Sequence, residues 1–131
     1  MSEADLETIR RAYKAWNSPE GMAAALPLMD PDIEYVNPES AIEGGTRRGY
    51  AGMTEVLAAV EGSFVDYVHD LHRLVEAGDK VMAYVTFRAR GRDSGAVVEK
   101  PEQHVWTLHE GRVVRFEWFH DEAAAKAAAG L

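Results

Sequence analysis

The chain has 131 residues, 47% of them hydrophobic and 27% charged, which suits one domain around one core and leaves no room for a second. Its 22 acidic residues outnumber its 14 basic ones, for a formal net charge of -8, and such a surface repels phosphate backbones and anionic lipid. The absence of cysteine removes disulfides, thiolate nucleophiles and sulfur-ligated metal sites.

The first residues, with Ser2, Glu3 and Asp5, carry neither a basic flank nor an apolar stretch, so neither a signal peptide nor a membrane span is expected, and the default location is cytoplasmic. Ser2 is placed to cap a helix in which Leu6, Ile9, Tyr13 and Trp16 share one face. Asn17 and Ser18 break it, and Ser18-Pro19 reads as the start of a second helix running to about Leu26. An Asp30-Pro31-Asp32 turn precedes a short strand with Ile33, Tyr35 and Asn37 on one face, ended by Pro38. The stretch from Glu39 to Gly49 reads as irregular, and Tyr50 to Glu61 as a third helix facing inward with Met53, Leu57 and Val60.

From Phe64 the pattern changes to four long strands separated by turn signals at Gly78-Asp79, Asp93 to Gly95 and Glu110-Gly111, followed by an alanine-rich helical tail. Alternation assigns inward faces to Tyr67, His69 and Leu71, then Val85 and Phe87, then His104, Trp106 and Leu108, and finally Phe116, Trp118 and His120. Three histidines thus join an aromatic wall, and no carboxylate is read as facing inward beside them. The opposite parity of the strand after Asp79 carries Met82, Tyr84 and Thr86, apolar enough to predict a second copy of the chain as cover and hence a homodimer. His72, His109 and the alternating Arg88, Arg90 and Arg92 are read as lying outside the pocket.

Helices first, a short strand ending in Asn37-Pro38, and a four-strand meander ending in Phe119-His120-Asp121 resemble the SnoaL-like and ketosteroid isomerase-like domains of the nuclear transport factor two-like superfamily. The Asp-Pro-Asp turn, Gly78-Asp79 and Gly111-Arg112-Val113 carry the same likeness, which spans almost all of residues 1–131. The resemblance implies an α+β fold: a curved antiparallel sheet wrapped around three helices of the N-terminal half, forming a cystatin-like cone with an apolar pocket.

In the ketosteroid isomerases a helix-one tyrosine, matched by Tyr13, is an oxyanion donor; the position of their strand-one base is Asn37 here, and an amide can hold a carbonyl but cannot abstract a proton. Their strand-four acid aligns with Gln103 or His104, and strand parity selects His104. His120 lies where SnoaL-like cyclases place a carboxylate, with Asp121 beside it on the opposite parity. Tyr35 and Asn37 also resemble the water-positioning pair of limonene epoxide hydrolases, whose Arg and two Asp residues would be replaced by Val85, Phe87, Phe116 and Trp118.

Two functions follow as expectations. One is a cofactor-independent isomerase, cyclase or dehydratase in which a hydrophobic cyclic ketone rests on Trp16, Trp106, Phe116 and Trp118, His104 or His120 moves a proton, and Tyr13 and Asn37 hold the oxyanion, with Tyr35, Met53, Leu57, Tyr67, His69, Val85 and Phe87 lining the pocket. The other is a domain that binds a small hydrophobic ligand without altering it, His104 and His120 being satisfied structural histidines. A metal held by His69, His104 and His120 is a weaker reading, because no short ligand spacing supports it.

Overall fold

The computed structural model describes residues 3–41 and 44–131. Helix α1 (Glu3–Trp16) buries Leu6, Ile9, Ala12, Tyr13 and Trp16 along one stripe, as the spacing of three and four requires. The Ser2 cap lies outside the described residues. Strand β1 (Met29–Asn37), strand β2 (Gly45–Arg48), helix α2 (Gly49–Ser63), strands β3 (Phe64–Ala77), β4 (Lys80–Gly91), β5 (Val97–His109) and β6 (Arg112–Phe119), and helix α3 (Glu122–Ala129) complete the chain, with a three-ten helix (Gly21–Leu28) between α1 and β1.

The six strands form one mixed sheet in the order β2-β1-β6-β5-β4-β3, all neighbours antiparallel except β1 and β6. The fold is α+β, the sheet is open, with β2 and β3 at its edges, and α1, the three-ten helix and α2 supply the core on one side of it. Two irregularities bend β3: Asp66, at a φ of 54°, lies between the pairs Val65–Arg90 and Val68–Arg88, and an extra residue falls between Leu71 and Arg73. Each shifts the side-chain alternation, so Leu74 rather than Arg73 packs on the main core.

Three local expectations are corrected. The second helix is three-ten and starts at Gly21: the Gly21 N–H bonds to the Ser18 carbonyl in a turn, Gly21 takes a φ of 71°, and Pro27 inside the segment lacks a donor for an α-helical ladder. Tyr67 accepts the Met22 N–H there at 3.2 Å. Part of the stretch read as irregular is strand β2, a polar edge strand without alternation that is held by its pairing with Glu34 to Asn37. The Asp30-Pro31-Asp32 turn is an irregularity inside β1, where Asp30 Oδ1 accepts the Asp32 N–H at 2.8 Å and the pairing with β6 shifts between Met29 and Glu34.

The apolar outer parity of β4 also finds a covering in its own chain. Met82 and Val105 pack with Ala125 and Ala129 of α3, the Arg73 guanidinium lies 4.1 Å over the Tyr84 ring, and His72 Nε2 bonds to Thr86 Oγ1 at 2.7 Å. Met82 is buried by this covering, whereas Tyr84 and Thr86 stay partly exposed. No helix among the described residues is long and apolar enough to cross a membrane.

Asp121 has a defined task in this arrangement: its Oδ1 accepts the Ala123 N–H at 3.0 Å and caps α3, while Gly130 at a φ of 77° ends that helix. Asp121→Ala is expected to lower stability by about 1 kcal/mol in chemical denaturation and to leave ligand affinity unchanged; an unchanged denaturation midpoint would contradict the capping role.

Candidate active site

Opposed residues on the concave face of the sheet fall into cross-strand rows. One runs Val81, Trp106, Phe116, Tyr35; the next Leu74, Ala83, His104, Trp118; a third Leu71, Val85, Glu102; a fourth His69, Phe87, Lys100. The first row is the packed floor. Its Tyr35 and Phe116, with His104, Trp118, Glu102, His69, Phe87 and Lys100 of the other rows, line a cavity of about 650 Å³ between the sheet and the C-terminal half of α2, with Val56, Ala59 and Val60 on the helix side and Asn37, Arg47 and His120 among the polar residues around it. That volume is typical of small-molecule sites.

The central feature is a hydrogen-bonded chain through the core. Trp106 Nε1 donates to Tyr13 Oη at 2.8 Å, Tyr13 Oη lies 2.6 Å from His104 Nδ1, and His104 Nε2 lies 2.9 Å from Glu102 Oε1. An indole N–H can only donate, so the phenol oxygen accepts it, while an ionised carboxylate can only accept, so His104 donates from Nε2 and, as a neutral ring, accepts the Tyr13 O–H at Nδ1. That leaves His104 with its proton on Nε2, donated to the carboxylate, and every group is satisfied. Tyr13, Trp106 and His104 are 2%, 0% and 1% exposed, so this alignment is locked by packing.

Glu102 forms part of the cavity wall, and only its Oε1 has a hydrogen-bond partner among the described residues, which leaves Oε2 to the cavity. Burial pushes the Glu102 carboxyl up, but the His104 bond first, and the nearby positive charge of Lys100 after it, outweigh burial and hold the pKa below the ordinary 4.5. It is a carboxylate at neutral pH. The expectation that no inward acid orients His104 is thus corrected: Glu102 lies two residues before His104 and hence on the same face of β5, opposite Val85. That parity was available in the sequence, but the charged run Glu99, Lys100 and Glu102 around Pro101 resembles a solvated strand end.

Of the four residues expected to do chemistry, Tyr13 lies beneath the cavity, its hydroxyl committed to Trp106 and His104; burial raises its pKa well above 10.0. His104 borders the cavity with both nitrogens engaged, so they are not available to a metal ion, and among the described residues no group of three or more His, Asp or Glu could hold one. His120 is exposed at the rim, its ring edge-on to Trp118 at 4.9 Å. Asn37 Oδ1 accepts the Trp118 N–H at 2.7 Å, which turns its amide donors elsewhere; like Tyr35, Asn37 borders the cavity. No group among the described residues bonds the Tyr35 hydroxyl, and burial raises its pKa.

Among the expected lining residues, His69, Phe87, Phe116 and Trp118 border the cavity with Tyr35. Trp16, Met53, Leu57, Val85 and Trp106 form the core beneath it, and Tyr67 lies beside a separate cleft with Trp16, Glu20 and Gly21. Tyr67 lies within the bulge between Val65 and Val68, and its hydroxyl meets the three-ten helix instead.

A SnoaL-like domain model matches residues 9–116. The chain belongs to the SnoaL-like family. Solved structures agree in fold across nearly the whole length: TerC, crystallised with polyporic acid, is 26% identical, with a TM-score of 0.80 over 98% of this chain and 100% of that one. An NTF2-like protein from Burkholderia pseudomallei is 22% identical with a TM-score of 0.81, each chain covered in full. A putative SnoaL-like polyketide cyclase from a Jannaschia species is 18% identical with a TM-score of 0.78 over 98% of this chain and 95% of that one. No curated protein matches the chain. The family and these likenesses support a small-molecule pocket.

His69 is uncharged in the fold: burial first, and then the nearby His104, push its pKa from 6.5 down to about 3. Between those values the unfolded chain holds a proton that the folded chain does not, so the stability contributed is present above pH 6.5 and is lost as pH falls towards 3. Glu102, also lowered, adds an acid loss of the same sign at lower pH. Melting temperature is expected to fall on acidification below about pH 6, and His69→Phe to flatten that fall; a variant as acid-sensitive as the parent would exclude His69 as the cause.

Proposed function

We propose that the chain is a cofactor-independent acid/base enzyme acting on a small, hydrophobic, enolisable cyclic ketone, with Glu102 as the base. The observation that supports this most is the Glu102 carboxylate in an apolar cavity wall, one oxygen bonded by His104 and the other facing the cavity. Burial alone acts to raise the pKa; with that partner the group is ionised and fixed in direction.

In the proposed step Glu102 Oε2 takes a proton from the carbon next to the ketone. The C–H electron pair moves into the carbon–carbon bond and the carbonyl π pair onto oxygen, giving an enolate beside a neutral Glu102. Tyr35 O–H and the Asn37 amide, on the β1 side of the same cavity, hold that oxygen. From a β,γ-unsaturated ketone the enolate is a dienolate, and return of the proton from Glu102 to the γ-carbon completes an isomerisation; attack of the enolate on a second carbonyl, whose oxygen then takes the proton from Glu102, completes a ring closure. His104 and Tyr13 are positioning residues here, His104 fixing the carboxylate and Tyr13 fixing the imidazole. Polyporic acid in TerC and the naming of the Jannaschia protein as a putative polyketide cyclase are consistent with oxygenated cyclic ligands. Epoxide hydrolysis has less support, because Glu102 is the one carboxylate among the described residues that line the cavity.

Hydrogen–deuterium exchange at the α-carbon of α-tetralone, followed by NMR, tests the proposal. The protein is expected to accelerate exchange, and Glu102→Gln to reduce the acceleration by at least about a hundredfold without loss of binding. Exchange that proceeds equally in the Glu102→Gln variant would remove Glu102 as base; binding of ketones with no exchange at all would leave a ligand carrier.

A further inference from the structure

His69 stands apart from the chain that fixes Glu102. It is 6% exposed and forms part of the cavity wall, yet no group among the described residues bonds either of its ring nitrogens, and Nδ1 is fully enclosed without a partner. Rings surround it: Trp16 at 5.0 Å, Phe87 at 5.1 Å, His104 at 6.0 Å and Tyr67 at 6.3 Å between centroids. Nε2 is not enclosed and has no partner among the described residues, so it is the ring atom that a ligand in the cavity can reach, and a polar group in such a setting costs free energy unless something satisfies it.

Strand order gives its position relative to the base. β5, which carries Glu102, has β6 and then β1 on one side and β4 and then β3 on the other. Tyr35 and Asn37 on β1 are therefore two strands from Glu102 in one direction, and His69 on β3 is two strands from it in the other, each about 10 Å along the sheet before curvature brings them in. Phe87 and Phe116 line the cavity on the intervening strands β4 and β6. The cavity thus presents Tyr35 and Asn37 at one edge and His69 at the other, with Phe87 and Phe116 beside the β5 groups His104 and Lys100 between them and the carboxylate near the middle.

We infer that His69 is a specificity-determining residue that hydrogen-bonds a second oxygen of the ligand, on the ring edge opposite the carbonyl held by Tyr35 and Asn37. The ligand class is then a ring system oxygenated on both edges, and a hydrocarbon or a mono-ketone of the same outline is discriminated against. This rests on the reading of the cavity as a ketone site with Glu102 at its centre. Uncharged at neutral pH, His69 presents Nε2 to the cavity as a donor or an acceptor according to its tautomer, so it suits a hydroxyl or a carbonyl rather than a carboxylate.

Tryptophan quenching or calorimetry with tetralin, α-tetralone and the γ-hydroxy derivative of α-tetralone tests the inference on the intact protein. The protein is expected to bind the hydroxy-ketone about three- to tenfold more tightly than α-tetralone, although the added hydroxyl makes the ligand less hydrophobic. His69→Phe is expected to abolish that preference, bringing the affinities for the two ketones within about twofold of each other, and His69→Asn, which keeps a hydrogen-bonding group, to retain part of it. Equal affinity for the two ketones in the wild type, or a preference that survives His69→Phe, overturns the assignment. Should the variants fail to fold, the imidazole nitrogen resonances of wild-type His69 decide: they move with the hydroxy-ketone and not with α-tetralone, and the reverse or no difference overturns it. Selective binding with no α-carbon exchange would sink the proposed chemistry and leave His69 in its role; no binding of any of the three probes would overturn both.

Discussion

An ionised carboxylate in the wall of an apolar cavity is unstable unless a hydrogen-bond donor is fixed against it, and the His104 Nε2 bond to Glu102 meets that requirement here. The requirement propagates inward. With its one proton on Nε2, the neutral His104 ring accepts at Nδ1, which engages the Tyr13 hydroxyl; the phenol oxygen in turn takes the Trp106 N–H. One surface charge in the cavity therefore dictates the identity and orientation of side chains on α1 and at two further positions of β5. The close aromatic packing of Tyr13, Trp16, Trp106 and Phe116, with centroids 4.7 to 5.6 Å apart, holds these orientations.

The fold was largely legible because its long elements follow simple periods. Leu6, Ile9, Tyr13 and Trp16 mark α1, and the alternations around Val85, Trp106 and Phe116 give the strands and their inner face. What escaped the sequence has identifiable physics. The three-ten helix depends on a positive φ at Gly21 and a missing donor at Pro27, within a run of alanines that satisfies α-helical propensity equally well. β2 has no pattern of its own and exists through its neighbour. Tyr67 was placed in the pocket because two-residue alternation does not register a bulge.

At the candidate site, the sequence brought His69, His104, Asn37, Tyr35 and Trp118 to the correct face but could not rank them. The distinction between His104, with both nitrogens engaged, and His69, with neither, depends on contacts across strands and on a tyrosine 91 residues away. Glu102 was within reach of parity and was hidden by its charged neighbours. A buried acid at a strand position looks in sequence like an exposed one, because what makes it tolerable lies elsewhere in the chain.

The arrangement of Glu102, His104 and Trp106 at alternate positions of one strand has a consequence for how such a protein diversifies. Three of the four members of the polar chain are inherited together as a short peptide, and strand pairing sets their direction without reference to any loop. Replacing that peptide exchanges the charge at the cavity centre as a single cassette, while α2 and the rim segments, which bound the cavity from other parts of the chain, stay free to vary with the ligand's outline. Reactivity and shape recognition are thus encoded in separable stretches of sequence, so related chains can change one and keep the other.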